Sequence, residues 1–166
     1  MAKAVIALVA ALALGGTGLA VQHGLFSGEQ AAVATAGSLA ITIASANGKH
    51  RFLVERAATP AAQEKGLMYR TDLTPNGGML FWPYPAAGGG PREANFWMKN
   101  TPTALDIIFI RKDGTIARIA ENTVPFSETP VASGEPVDAV LEIVGGRAAE
   151  LGIAEGDRVI WDRGGS

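Results

Sequence analysis

The stretch from Asn95 to Ile110 constrains the fold more than any other part of the chain. An aromatic strand, Asn95-Phe96-Trp97-Met98, runs into a polar corner, Lys99-Asn100-Thr101-Pro102, and then into a second strand, Leu105-Asp106-Ile107-Ile108-Phe109-Ile110. A strand that is apolar at both odd and even positions is covered on both faces rather than one. This stretch is therefore read as the centre of the fold, and Asp106 as a carboxylate buried within it.

Shorter elements surround that centre. Leu39-Ala40-Ile41-Thr42-Ile43 alternates, Asn47-Gly48 is a hairpin turn, and Arg51-Phe52-Leu53-Val54-Glu55 returns. Thr59-Pro60 predicts an N-cap with proline at the first helical position, opening a helix through Lys65 that Gly66 ends or packs closely. Met79-Leu80-Phe81-Trp82 is a short strand ended by Pro83. The glycine-rich run to Pro91 is loop, read as a tolerated insertion in preference to a lid. After the centre come an Asp113-Gly114 turn, a strand at Ile116–Ile119, a surface crossing from Glu121 to Glu135, and a strand at Pro136–Val144. A short helix at Arg147–Leu151 and a last strand at Arg158–Trp161 complete the chain. About eight strands and two short helices predict a mainly β, α+β domain: a small antiparallel barrel or sandwich with the helices covering its ends.

A chain of 166 residues holds one ordinary domain. Its formal net charge of −2, with acids and bases interspersed, argues against nucleic acid as a partner. With no cysteine and only two histidines, His23 and His50, the chain lacks thiolate nucleophiles, disulfides and cysteine zinc sites. No cofactor is predicted.

Lys3 followed by the apolar run Ala4–Leu14 has the form of a secretory signal. Extended to Val21, the same run is long enough to serve as an uncleaved membrane anchor. The expected organisation is a signal peptide or membrane tether plus linker over residues 1–36 and a β-rich domain over 37–166. The domain is thereby placed in the periplasm, free or anchored to the inner membrane.

Gly66-Leu67-Met68-Tyr69-Arg70, Gly78-Met79-Leu80-Phe81, Phe96-Trp97-Met98-Lys99-Asn100-Thr101, Leu105-Asp106-Ile107, Asp113-Gly114-Thr115-Ile116, Leu141-Glu142 and Gly152-Ile153-Ala154-Glu155-Gly156-Asp157 occur in this order. In this ordered set, from about Leu39 to Trp161, the chain resembles the uncharacterised family called domain of unknown function 192. The resemblance implies a compact, barrel-like β domain, often secreted, and carries no established activity. The loop at Ala86–Gly90 is longer than the family's usual connection.

Several residue groups are candidates for chemistry. Asp106 must be hydrogen-bonded or paired if ionised, and the expected partners are Asn100 and Thr101 at the corner or Lys99, Arg70 or Arg92. A buried polar staple is the plain reading of this residue. Glu142 repeats the pattern between Val140 and Val144, so the two carboxylates form either an acid/base pair for a hydrolase acting on glycan or peptide, or two independent salt bridges. Met68, Met79 and Met98 suit either Cu(I) or core packing. Trp82, Tyr84 and Trp97 are candidates for an aromatic groove with a polar rim. The preferred reading is a binding or interaction module for a small molecule, glycan or peptide of the cell envelope. Its site is expected at Arg70, Trp97, Lys99, Asn100, Thr101 and Asp106, overhung by the loop from Pro83 to Pro91. The sequence sets no oligomeric state.

Overall fold

The structure, a computed structural model, describes residues 37–164. The signal or anchor expected in residues 1–36 lies outside them. Strands β1 (Ser38–Ser45) and β2 (Gly48–Ala57) form the expected hairpin, with Ile41 opposite Phe52 and Leu39 opposite Val54. Helix α1 (Pro60–Lys65) starts where Thr59 Oγ1 accepts from the Ala62 amide and ends at Gly66, whose amide donates to the Ala62 carbonyl. Then follow β3 (Gly78–Phe81), β4 (Arg92–Phe96), β5 (Leu105–Ile110), β6 (Ile116–Ala120), β7 (Val131–Val137), β8 (Ala139–Val144), α2 (Arg147–Leu151) and β9 (Arg158–Trp161).

Seven strands make one sheet in the order β6-β5-β8-β3-β2-β1-β9, and β4 and β7 pair separately. The large sheet curls into a half-barrel. Its outermost strands approach each other where Ile116 N donates to Asp157 O and Val159 N to Gly114 O, both at 2.8 Å.

The architecture departs from the expected one in three places. Strand β3 runs parallel to β2, a geometry that needs a crossover connection, and α1 lies in that connection. The crossing from Glu121 to Glu135 contains the start of β7. The strand expected at Pro136–Val144 is also two strands, divided at Asp138. Proline explains the division: without an N–H, Pro136 cannot sit in a central strand, and it lies opposite Glu93 in the small sheet, next to a register shift between Glu93 and Asn95.

All six residues of β5 are buried, as the apolar run predicts. On the concave side, Ile108 and Ile110 pack with Ile41, Phe52, Leu80 and Leu141, closed at one end by Ala148 of α2. On the convex side, Ile107 and Phe109 pack with Leu67, Phe81 and Val140 beneath the β4–β7 pair. Registers Asp106↔Ile143 and Ile107↔Glu142 fix which residues share a face. Among the described residues no helix is long and apolar enough to cross a membrane.

Candidate functional site

The two carboxylates in apolar strands are on adjacent strands, β5 and β8, but on opposite faces of the sheet. The acid/base pair is thereby corrected, since a sheet separates its members. Asp106 faces the concave core, where Oδ1 accepts from the amides of Asn122 (2.7 Å) and Gly146 (2.8 Å) and Oδ2 from that of Ala148 (2.7 Å). Helix α2 has no side-chain cap of its own at Gly146, so Asp106 caps it from forty residues away in the chain. The close approach needs glycine: a Cβ on Gly145 would lie 2.7 Å from Asn122 Oδ1 and 2.9 Å from the Ala104 carbonyl carbon. The expected partners Asn100, Thr101, Lys99, Arg70 and Arg92 are therefore replaced by backbone amides brought in by α2 and the chain after β6.

Glu142 faces the other way, between Met79 and Ile107 on the flanking strands. It is buried, and Oε2 has no hydrogen-bond partner among the described residues. Burial in these surroundings raises its carboxyl from 4.5 to about 8. The salt-bridge expectation thus fails for both carboxylates, one bound by amides and the other unpaired.

Glu142 lines a cavity of about 400 Å³. Part of the lining is α1 and the turn after it, from Gln63 to Met68; the loop segment Tyr84–Ala87 forms another part, and Phe81, Phe96, Trp97 and Thr101 also line it. The ring of Phe96 stands edge-on to Phe81 at 4.9 Å and tilts against Tyr84 at 5.8 Å. Gly66, at φ 48°, packs closely over Phe81 and the carboxylate: a Cβ there would stand 3.2 Å from Phe81 Cζ and 3.9 Å from Glu142 Oε2.

The loop after β3 is tied down on its first half. Gln63 donates through Nε2 to the carbonyls of Ala57 (3.0 Å) and Pro83 (2.7 Å) and accepts at Oε1 from the Ala86 amide (3.0 Å). Tyr84 N donates to Asp138 O at 2.9 Å. Residues Tyr84–Ala87 are consequently a wall of the cavity, while Gly88–Gly90 are exposed.

The six residues expected to bind ligand divide between this region and others. Trp97, 46 % exposed, lines the main cavity and two adjoining grooves, and Lys99 and Asn100 line one of those grooves. Lys99 Nζ stands 5.0 Å from the Trp97 ring centroid. Thr101 is in the main cavity, its hydroxyl donating to Lys99 O at 3.2 Å. Asp106 lies across the sheet. Arg70 is engaged by Asp72 (2.6 Å) and Glu55 (2.7 Å), which raise its pKa further, and its guanidinium in turn lowers the pKa of Asp72.

Of the three aromatics expected in a groove, Trp82 instead packs on the concave core, edge-on to Trp161 at 5.8 Å. Met79 and Met98 are buried on the convex side. The Met98 sulfur accepts from Thr123 Oγ1 at 3.1 Å and that of Met68 from Asn100 Nδ2 at 3.9 Å. Among the described residues no cluster of three His, Cys, Asp or Glu is placed to hold a metal ion.

The family model of domain of unknown function 192, described as an uncharacterised ACR, matches residues 42–161. The chain belongs to this family. A crystal structure of a protein of unknown function from Novosphingobium aromaticivorans is similar at 47% identity and a TM-score of 0.70, covering 75% of this chain and 85% of that one. A Sinorhizobium meliloti protein, a proposed transcription regulator, is similar at 42% identity and a TM-score of 0.69, covering 75% and 93%. No curated protein matches.

Segments that carry the resemblance to domain of unknown function 192 converge on the cavity. Gly66, Leu67 and Met68, Phe81, Phe96, Trp97, Thr101 and Glu142 all lie in those segments and all line it. Gln63 and Tyr84, which also line it, lie outside them; Tyr84 is marked in the sequence only as an aromatic candidate, and Gln63 carries no sequence signal of its own.

Proposed function

We propose that the domain is a ligand-binding module whose site is the cavity over Glu142. One observation carries the reading: a buried carboxyl oxygen without a partner lies at an aromatic-lined cavity large enough for a small molecule. Unpaired buried polar atoms cost about 1–3 kcal/mol each, and a ligand that supplies the missing bond recovers that cost. The half-exposed Trp97 and the fixed wall at Tyr84–Ala87 give such a ligand preformed apolar contacts.

Hydrolysis through a carboxylate pair has no support once Asp106 and Glu142 face opposite ways. A formal net charge of −2 likewise gives a role in transcription no electrostatic basis in binding DNA. Lys3 and the apolar run to Leu14 support export, with the module working in the periplasm, cleaved or tethered.

An NMR fragment screen of the protein tests the site. Bound fragments are expected to shift Gly66, Tyr84, Trp97 and Glu142 together, and binders that shift only residues away from these four overturn it. The intact mass of the protein isolated from its own cells tests export: a chain starting at Met1 and recovered in the cytosol refutes it.

A further inference from the structure

We propose that the cavity recognises a small organic cation, a primary or secondary alkylammonium whose N–H groups bond Glu142 and whose charge lies against the aromatic wall. This deepens the binding-site reading above and rests on it. Four aromatic residues line the cavity, Phe81, Tyr84, Phe96 and Trp97, and aromatic faces are the negative end of the ring quadrupole. The Trp97 ring already draws an ammonium, that of Lys99, which approaches from the adjoining groove and does not line the cavity. Glu142 lines the cavity, and its buried Oε2 is an acceptor that no described residue serves. An ionised carboxylate only accepts, so the group that completes it brings hydrogens, and a buried carboxylate is stabilised most by a donor that is also charged.

The remaining charged and titratable groups of the lining are Glu64 and Lys65 on α1 and Tyr84 on the facing loop, while β3 and β5 present only Met79 and Ile107 beside Glu142. Glu64 and Lys65 are both exposed and opposite in sign, so neither sets the charge preference, and the buried Glu142 alone opposes an anionic ligand.

A cation that pairs with carboxylate expels the proton from Glu142, and that carboxyl titrates at about 8. Affinity therefore rises about tenfold per pH unit toward pH 8 and levels off above it, a range in which alkylammonium stays charged.

The test titrates the full chain with n-butylammonium, 1-pentanol and pentanoate, probes of similar size and different charge. Amide shifts of Gly66, Tyr84 and Trp97 are followed from about pH 6 to pH 9. Butylammonium is expected to bind at least about tenfold more tightly than the other two at pH 8, with the pH profile given above. Glu142→Gln is expected to flatten that profile and remove the preference. Trp97→Ala, at an exposed position, weakens butylammonium several-fold and serves if the first variant does not fold. Equal or tighter binding of pentanol or pentanoate at the same residues overturns the cation and leaves the site standing. Shifts from none of the three probes overturn both.

Discussion

Glu142 makes the stability of this protein depend on pH in a direction opposite to that of most carboxylates. In the unfolded chain it titrates near 4.5, and in the fold burial holds its proton until about pH 8. The folded state thus binds a proton more tightly than the unfolded state. The associated stability is complete below about pH 4.5, declines as the pH rises, and is lost above pH 8. At 1.36 kcal/mol per pH unit, the interval amounts to about 5 kcal/mol, a large share of the 5–15 kcal/mol that holds a domain of this size together.

Glu142→Gln keeps the shape and removes the titration. Below pH 5 the variant and the parent are expected to be of similar stability, and near pH 9 the variant more stable by several kcal/mol. Urea unfolding at a series of pH values measures the difference. Subtracting one protein from the other cancels every other group, including Asp72, Asp113 and Glu135, whose pKa values are lowered by their partners. A difference that stays constant within about 1 kcal/mol between pH 5 and pH 9 refutes a buried, unpaired carboxyl at this position.

Three further substitutions probe the elements around the cavity and the cap. Asp106→Asn supplies one acceptor oxygen where the carboxylate serves three amides, and is expected to cost about 3 kcal/mol in urea unfolding and speed hydrogen exchange at Asn122, Gly146 and Ala148. Gly66→Ala forces a side chain onto a positive φ and against Phe81, with an expected loss of about 1–3 kcal/mol by thermal unfolding and weaker fragment binding in the cavity. Gln63→Ala releases the wall at Pro83–Ala86 and is expected to cost about 1 kcal/mol, read as faster limited proteolysis between Tyr84 and Pro91.

The parts of the fold legible in the sequence are those decided by local pattern. Thr59-Pro60, Asp113-Gly114 and the run Leu105–Ile110 each specify their own conformation and are found as expected, while the hairpin expected to turn at Asn47-Gly48 turns one residue earlier, at Ala46-Asn47, because Ser45 pairs with Gly48. Pairings between distant segments were not legible: nothing in Arg92–Phe96 names Val131–Val137 as its partner, and Pro136 alone hinted that its segment belongs at an edge. The site follows the same division. The non-alternating apolar runs of β5 and β8 show that Asp106 and Glu142 are buried, but the facing of each depends on the register between the two strands, a tertiary fact. Gln63 is an ordinary helix residue in sequence, and only the folded chain shows what it holds.

Asp106 and Glu142 stand one register step apart on adjacent strands and have opposite fates. Asp106 accepts three amide hydrogen bonds and anchors α2, which is what a buried carboxylate needs if its role is structural. Glu142 accepts nothing at Oε2 from the described residues, although an apolar side chain in its place would fill the same space between Met79 and Ile107 without a desolvation cost. A fold selected for stability alone has no use for that carboxyl, and Glu142→Leu is expected to stabilise the protein above pH 7. The vacant hydrogen-bonding capacity coincides with Gly66, the rings of Phe81, Tyr84, Phe96 and Trp97, and a loop held in place by Gln63. A stability cost that coincides with a preformed cavity is the pattern of a binding site, because the bond missing from the empty protein is one a ligand can complete.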